Sequence, residues 1–415
     1  MNSMVSNRLL RRQKTPLRFL TFMLFSLIPG LSLSQTDPAK ALDLDLEDTG
    51  AKIENVIALQ LAEKQYEALH SSRGRKMEFN TDAIVVNGDT LKPRKIRTRG
   101  QSSLMFRRKS LTIKLKSKAS FRHGESAVPL KRFYLLSLSM DKYYCHNRLA
   151  FEMMDSLGLF SLLYSYGELV INGRSEGIFM VMERPEDWAI REKGSPVVIR
   201  RGPDHAMDEV KTDQSGERGA SKKYLDIYRD IYSALDHYSG RELFDELSKS
   251  LDLGEYMKWM AFNFLIHNGD YSDEVFFYFD PAIQKYRIIP WDYDDILAAT
   301  PHEGIRLRNQ LMGEKLIFSG EDLLDEKIGT DAYLYDLYLD RLREVLELLS
   351  PELIKGTIES TFSELYPYYV HPEVIINAQY DQYDNASLDH LRDYLLQVYR
   401  LLLDYSDIYR NMISP

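Results

Sequence analysis

At 415 residues, with 44% hydrophobic and 28% charged side chains, the chain can bury one large two-lobed core or two ordinary ones, and this composition excludes extended disorder. Lysine and arginine total 53 against 62 aspartates and glutamates, and the resulting formal charge of −9 argues against a general nucleic-acid binder. Cys145 is the only cysteine, so no internal disulfide can form and stability has to come from the core.

Arg8, Arg11, Arg12, Lys14 and Arg18 precede the apolar run FLTFMLFSLI, after which PGLSLSQ offers small residues at Ser32 and Ser34. This is the layout of a secretory signal peptide over residues 1–34. The apolar run at 19–28 is shorter than the about 20 residues that span a bilayer, so no stable membrane insertion is expected after cleavage. Losing residues 1–34, which carry five basic and no acidic side chains, takes the formal charge from −9 to −14. The expected location is secreted or periplasmic.

Residues 48–68 read as patchily helical, and from Lys76 the pattern turns to strand. AIVVNGDTL carries the Asn-Gly pair of a tight hairpin. In KSLTIKLKS the alternation puts Leu111, Ile113 and Leu115 on a core face and Thr112, Lys114 and Lys116 on the other. RFYLLSLS follows as a strand, and DKYYCHNRLAFEMMDSLG predicts a helix from Asp141 that stops at Gly158. GELVING and EGIFMVME predict a second hairpin pivoting on Asn172 and Gly173, and SPVVIRR one last short strand before a polar connector, GPDHAMDEVKTDQSGERGASKK. From Tyr224 helices dominate, interrupted by a hairpin from VFFYFD to KYRIIP. The expected class is α+β and two-lobed: a mostly β N-lobe over 35–185 and a mostly helical C-lobe over 186–415 with that hairpin embedded.

The stretch IIPWDYDDIL places Asp292, Asp294 and Asp295 directly after an apolar strand. Packed carboxylates repel and lose hydration, so such a group sits on an open surface or around a cation. Upstream, HNGD puts Asp270 on a loop after Gly269, and the hairpin between Asp270 and Asp292 reverses the chain once, so both carboxylates return to one edge. That order matches the protein-kinase C-lobe, where one Asp orients the attacking hydroxyl and another holds Mg²⁺ on the phosphates. The ordinary kinase signatures GxGxxG, HRD and DFG are missing. In RTRGQSSLMFRRKSLTIKL, Arg97, Arg99, Arg107, Arg108 and Lys109 surround a turn of Gly100, Ser102 and Ser103, a composition suited to cradling a triphosphate. Taken singly, these pieces also read as helix caps, an exposed acidic turn and a solvated basic strand pair.

Four motifs in order, RGQSSLMFRRKSLTIKL, INGRSEGIFMVMER, the NGD turn and IIPWDYDD, resemble those of the spore-coat protein H (CotH) kinases, an atypical, secreted, protein-kinase-like family. The resemblance covers residues 97–295. It implies a two-lobed kinase-like fold with the hairpin at the active site, and transfer of the ATP γ-phosphate to Ser or Thr of an exported protein with Mg²⁺ or Mn²⁺. By position, it implies Asp270 as the catalytic residue, Asp292 as the metal ligand, and Asp294 or Asp295 as the completion of the metal shell. It further implies Lys109 on the phosphates with Lys114 in reserve, Arg99 and Ser102 in the N-lobe turn, and Glu183 near the adenine or ribose. Gln101 stands where the family usually has Asn. After Asp270 the chain reads Tyr271, Ser272, Asp273, Glu274, without the family's second metal-ligating Asn, so Glu274 or Asp273 must take that place if anything does.

Two other readings stay open: a metal-dependent phosphoesterase using the same carboxylates, and a non-enzymatic, pseudokinase-like secreted scaffold. The charge of the mature chain would steer a basic acceptor. His267 reads as a cap or core contact and Trp291 as packing that fixes the acidic turn. No Cys-His arrangement is visible, and Cys145 reads as an inert helix residue.

Overall fold

In a computed structural model of the chain, the two Asn-Gly pairs make the turns their backbone freedom permits. Asn87 and Gly88 lie at φ 51° and 92°, and Asn172 and Gly173 at 53° and 75°, the left-handed conformation a two-residue hairpin loop demands. The structure describes residues 42–44, 52–124, 126–159, 162–202, 208–213, 220–272, 274–301, 315–378 and 387–413. The expected signal peptide, Asp273 and residues 302–314 lie outside them.

The first sheet holds β1 (Val56–Leu59), β2 (Glu78–Phe79), β3 (Ile84–Val86), β4 (Asp89–Leu91), β5 (Pro93–Thr98), β6 (Leu111–His123), β7 (Ser126–Leu136), β8 (Tyr164–Ile171) and β9 (Arg174–Glu183). Their hydrogen-bonded order is β2-β5-β6-β7-β9-β8-β1-β3-β4. The alternation expected for β6 appears as burial: Leu111, Ile113 and Leu115 are buried in the sheet's own core with Phe133, Leu135, Phe179 and Val181. On β9 the intervening residues Ile178, Met180 and Met182 join a second core with Leu149, Met153 and Met154. A strand covered on both faces reads as a continuous apolar run, which is why GIFMVM has no polar interruption.

Three expectations need correcting. Residues 56–59 are strand rather than helix, since Ile57 and Leu59 are buried where β1 pairs parallel with β8 and antiparallel with β3. Helix α1 (Glu63–Ser71) begins only after it. Helix α2 (His146–Ser156) starts later than Asp141, because Tyr144 at φ 62° interrupts the backbone and the Asp141 carboxylate accepts the N–H groups of Tyr143 and His146 at 3.0 and 2.6 Å. Its end at Gly158, φ 69°, is as expected. Finally, the polar connector contains a strand.

That strand, β11 (Glu209–Asp213), belongs to a second sheet with β10 (Val197–Arg200), β12 (Val275–Asp280) and β13 (Lys285–Pro290), in the order β11-β10-β12-β13. Helix α3 (Pro185–Lys193) connects the two sheets, with Pro185 in its first turn and Gly194 left-handed at its end. Helices α4 (Ala220–His237), α5 (Gly240–Ser250) and α6 (Leu253–Leu265) follow, then helices at Leu323–Thr330, Ala332–Leu348, Pro351–Tyr369, Pro372–Ala378 and Leu388–Ile413. Helix α6 is buried on nearly every side, so it forms the axis on which the second sheet and the later helices pack. Among the described residues no helix is long and apolar enough to cross a membrane.

Candidate active site

Helix α6 delivers the Asp270 loop, and β13 delivers the acidic turn. Gly269 N–H donates to the Asp295 carbonyl at 2.8 Å, Leu297 N–H to Ile266 at 2.8 Å, and Ala298 N–H to His267 at 3.0 Å. The two segments are thereby laced together by backbone. A Cβ on Gly269 would lie 2.0 Å from Asp295 Oδ2 and 2.9 Å from Ala298 Cβ, so only glycine admits this approach. Buried Asn268 accepts the Asp270 N–H at 3.3 Å and donates from Nδ2 to Asn263 Oδ1 at 3.0 Å.

On the other side, Trp291 N–H donates to the Glu274 carbonyl at 2.9 Å, extending the pairing of Val275 with Pro290 past the hairpin. Asp292 then takes φ 56°, a left-handed conformation that costs a non-glycine residue energy. The bend sends the Tyr293 ring into the core, where its hydroxyl accepts from Trp259 Nε1 at 3.0 Å. Asp292 and Asp294, flanking it, line a cleft of about 540 Å³ together with Asp270 and Glu274. Burial pushes the Asp294 carboxyl well above its usual range, and the neighbouring charges of Asp292, Asp141, Asp270 and Asp295 push the same way. A cation beside such a group favours its anionic form.

The facing wall is basic, with Lys76, Arg97 and Arg99, while Arg200 and Lys211 line the cleft from the second sheet, on the side of Glu274. Gly100, at φ 98°, forms the turn beside Arg99, and a Cβ there would strike Ser103 Oγ at 1.9 Å. Ser102 opens a short 3₁₀ turn on the same wall. The Arg99 guanidinium lies 4.0 Å over the Tyr134 ring and 5.3 Å from that of Trp291, joining the basic wall to the acidic turn. Ser110, Ser137 and Ser139 line the floor, with Ser139 Oγ donating to Ser137 Oγ at 3.0 Å and Ser137 N–H to Ser110 Oγ at 3.0 Å.

The cleft therefore gathers Asp270, Asp292, Asp294, Glu274, Arg99 and Ser102, and the remaining implied residues stand off its wall. Glu274 is engaged, its Oε1 accepting from Arg200 at 2.6 Å. Lys114 sits one step along β6 from Thr112, which lines the cleft; burial lowers its pKa, and Arg184, Arg132, Arg97 and Lys95 lower it further. Lys109 is buried, with its ammonium donating to the Phe106 carbonyl. Glu183 is buried and ion-paired to Arg191, whose Nη2 is 2.9 Å away.

Sequence reasoning passed over Asn147, Arg200 and Arg201. Arg201 is fully buried, donates to the Ser272 carbonyl and stands 3.4 and 3.6 Å from Asp322 and Asp325, so it anchors the segment after Asp270. The signal for the pair was VVIRR, two arginines at the end of an apolar strand. The absence of a Cys-His arrangement also needs correcting: Asp141, Cys145 and His146 each offer a metal-type ligand atom within 4.8 Å of one another. Their present contacts are structural. His146 Nδ1 donates to the Asp294 carbonyl at 2.8 Å, its Nε2 pairs with the Tyr394 hydroxyl, and burial beside Asp141 raises the Cys145 thiol well above its usual pKa. His146 thereby braces the acidic turn, and Asp141 holds the start of the helix that carries it.

Helices on one side, a sheet on the other and paired carboxylates brought together by a hairpin define a kinase-like protein of two lobes. The family model described as CotH kinase protein matches residues 96–402, and the chain belongs to that family. Inner spore coat protein H of Bacillus subtilis (strain 168) is 22% identical over 285 residues, which cover 65% of this chain and 76% of that protein. A chain of the Shewanella oneidensis MR-1 complex of HipA, HipB and operator DNA aligns with a TM-score of 0.29 at 11% identity, over 88% of this chain and 82% of that one.

Proposed function

We propose that the chain is an exported protein kinase that transfers the ATP γ-phosphate to a Ser or Thr hydroxyl of another exported protein. The observation that carries this reading is the buried Asp294 carboxyl beside Asp292, Asp270 and Asp295, facing a wall of lysine and arginine in one cleft. Carboxylates on one side and cations on the other suit a polyphosphate that carries a divalent ion.

Asp292 and Asp294 would hold Mg²⁺ or Mn²⁺, and the ion would neutralise charge on the β- and γ-phosphates. Arg99 and the turn at Ser102 draw the phosphates to the basic wall, with Lys114 adding positive potential along β6. Lys109 and Glu183 act from behind that wall, Lys109 by fixing the Phe106 carbonyl and Glu183 by fixing Arg191. Asp270, held by Asn268 and the Gly269 lacing, orients the acceptor hydroxyl for in-line attack and takes its proton, positioning being most of the catalysis. The acceptor we propose is basic, drawn by the charge of the mature chain. A second reading, nucleotide binding without transfer, is favoured by one observation: Glu274, where the family's second metal ligand would be replaced, is engaged by Arg200.

A thermal-shift titration of residues 35–415 with ATP, with and without Mg²⁺ or Mn²⁺, tests the site. A metal-dependent rise in melting temperature that Asp292→Ala abolishes supports it, and transfer of labelled phosphate to a protein hydroxyl separates the two readings. Absence of any nucleotide or metal effect overturns both.

A further inference from the structure

Asn147, in the first turn of α2, is 1% exposed and lines the cleft beside Asp294. Its two amide atoms are not equivalent. Oδ1 accepts the Tyr293 N–H at 2.9 Å, and because a backbone N–H can only donate, this contact fixes which end of the amide is oxygen. Nδ2 is then the other end of an amide that lines the cleft, and among the described residues it is buried without a hydrogen-bond partner. A buried amide donor left unsatisfied costs about 1–3 kcal/mol, a cost that is relieved when a ligand supplies the missing acceptor.

The surroundings restrict what that acceptor is. An –NH₂ group cannot coordinate a cation, so it is not a metal ligand itself. It belongs to a residue that lines the same cleft as carboxylates suited to a divalent ion and as Arg99, a lining that suits a phosphate oxygen. Resting on the nucleotide reading of the cleft, we propose that Asn147 is a ligand-contacting residue whose Nδ2 donates to a phosphate oxygen of the bound nucleotide. The same side chain grips Tyr293 through Oδ1, and its neighbour His146 grips the Asp294 carbonyl, so α2 reads the phosphates and holds the acidic turn with one helical turn.

Calorimetric titrations with MgATP, Mg-tripolyphosphate and adenosine, on wild type, Asn147→Asp and Asn147→Ala, test this. Asp keeps the oxygen that accepts from Tyr293 and replaces the donor with an acceptor, so MgATP and tripolyphosphate affinity should fall about 30-fold or more in N147D and about tenfold in N147A, with adenosine unchanged. Melting temperatures identify a variant that has not folded, in which case the other carries the test. Unchanged MgATP affinity in a folded variant overturns the proposal while leaving the nucleotide reading intact. Equal weakening of ATP and adenosine overturns it too, by showing a distortion of the whole cleft. A wild type that binds neither ATP nor tripolyphosphate overturns the proposal and the nucleotide reading together.

Discussion

The two walls of the cleft are built on opposite principles. The acidic wall is laced into place: Gly269 to Asp295, His267 to Ala298, Ile266 to Leu297 and Trp291 to Glu274 are all backbone bonds, and Tyr293 between the carboxylates is buried. The basic wall is assembled from long side chains that reach in from sheet and turn, with the Arg99 guanidinium lying on aromatic faces while its N–H donates to the Ser110 carbonyl. Carboxylates that repel one another need a rigid frame to stay together, whereas cations on flexible stems need only a surface to lie on. Damage to the first wall should therefore be steep and specific, and damage to the second graded.

The sharpest test is Asp292→Ala, expected to lower turnover at least about 1,000-fold in a phosphate-transfer assay, since a metal's charge stabilisation is worth several kcal/mol. A variant as active as wild type breaks the assignment. Next is Gly269→Ala, where Ala298 Cβ at 2.9 Å leaves no room even if the Asp295 side chain swings aside. A loss of about 3 kcal/mol in denaturant unfolding is expected, by overpacking of the lacing.

His267 behind this wall gives a comparable effect through pH. Burial against Phe318, Tyr405 and Tyr409 lowers its pKa from 6.5 to about 4. Below the unfolded value the unfolded chain binds a proton that the native state refuses, so this residue's contribution is complete above pH 6.5 and is lost as pH falls toward 4. The loss is on the order of 3 kcal/mol, and His267→Phe should flatten that part of the stability profile. On the basic wall, Arg99→Ala should weaken MgATP binding about tenfold by calorimetry and leave the fold in place. The smallest effect concerns the acceptor: a basic peptide should be phosphorylated faster than an acidic one, by a margin that shrinks with added salt. The reverse preference would make the basic wall, rather than the net charge, the feature that selects the acceptor.

Much of the fold was legible wherever the determining contact is close in sequence. The Asn-Gly hairpins, the alternation along β6, the hairpin of β12 and β13 and the stop at Gly158 all rest on neighbours or on one residue's backbone freedom. What was not legible rests on distant partners. Val56–Leu59 becomes a strand because β8 supplies an edge, as Ile57 facing Leu169 shows, and nothing in VIAL announces that partner. Tyr144, a non-glycine residue in a left-handed turn, delays α2 through a conformation its side chain does not advertise. In the site, Asp270, Asp292 and Asp294 declare themselves by charge next to apolar strands, and the hairpin rule brings them together. Asn147 does not, since one asparagine among helical residues looks like any other until its oxygen is seen on Tyr293. Lys109 and Glu183 illustrate the converse: position along the chain suggested contact, while neither lines the cleft, Lys109 donating to the Phe106 carbonyl and Glu183 pairing with Arg191.

The Tyr293 ring works as a key in a lock. With its hydroxyl on Trp259 and its N–H on Asn147, it pins the midpoint of the acidic turn, while Trp291 and Leu297 pin the two ends. A segment fastened at three points would have to break several of these bonds together to move, so the acidic wall is built to hold one arrangement. Any control over it has to be exercised on admission, by what reaches the carboxylates and when.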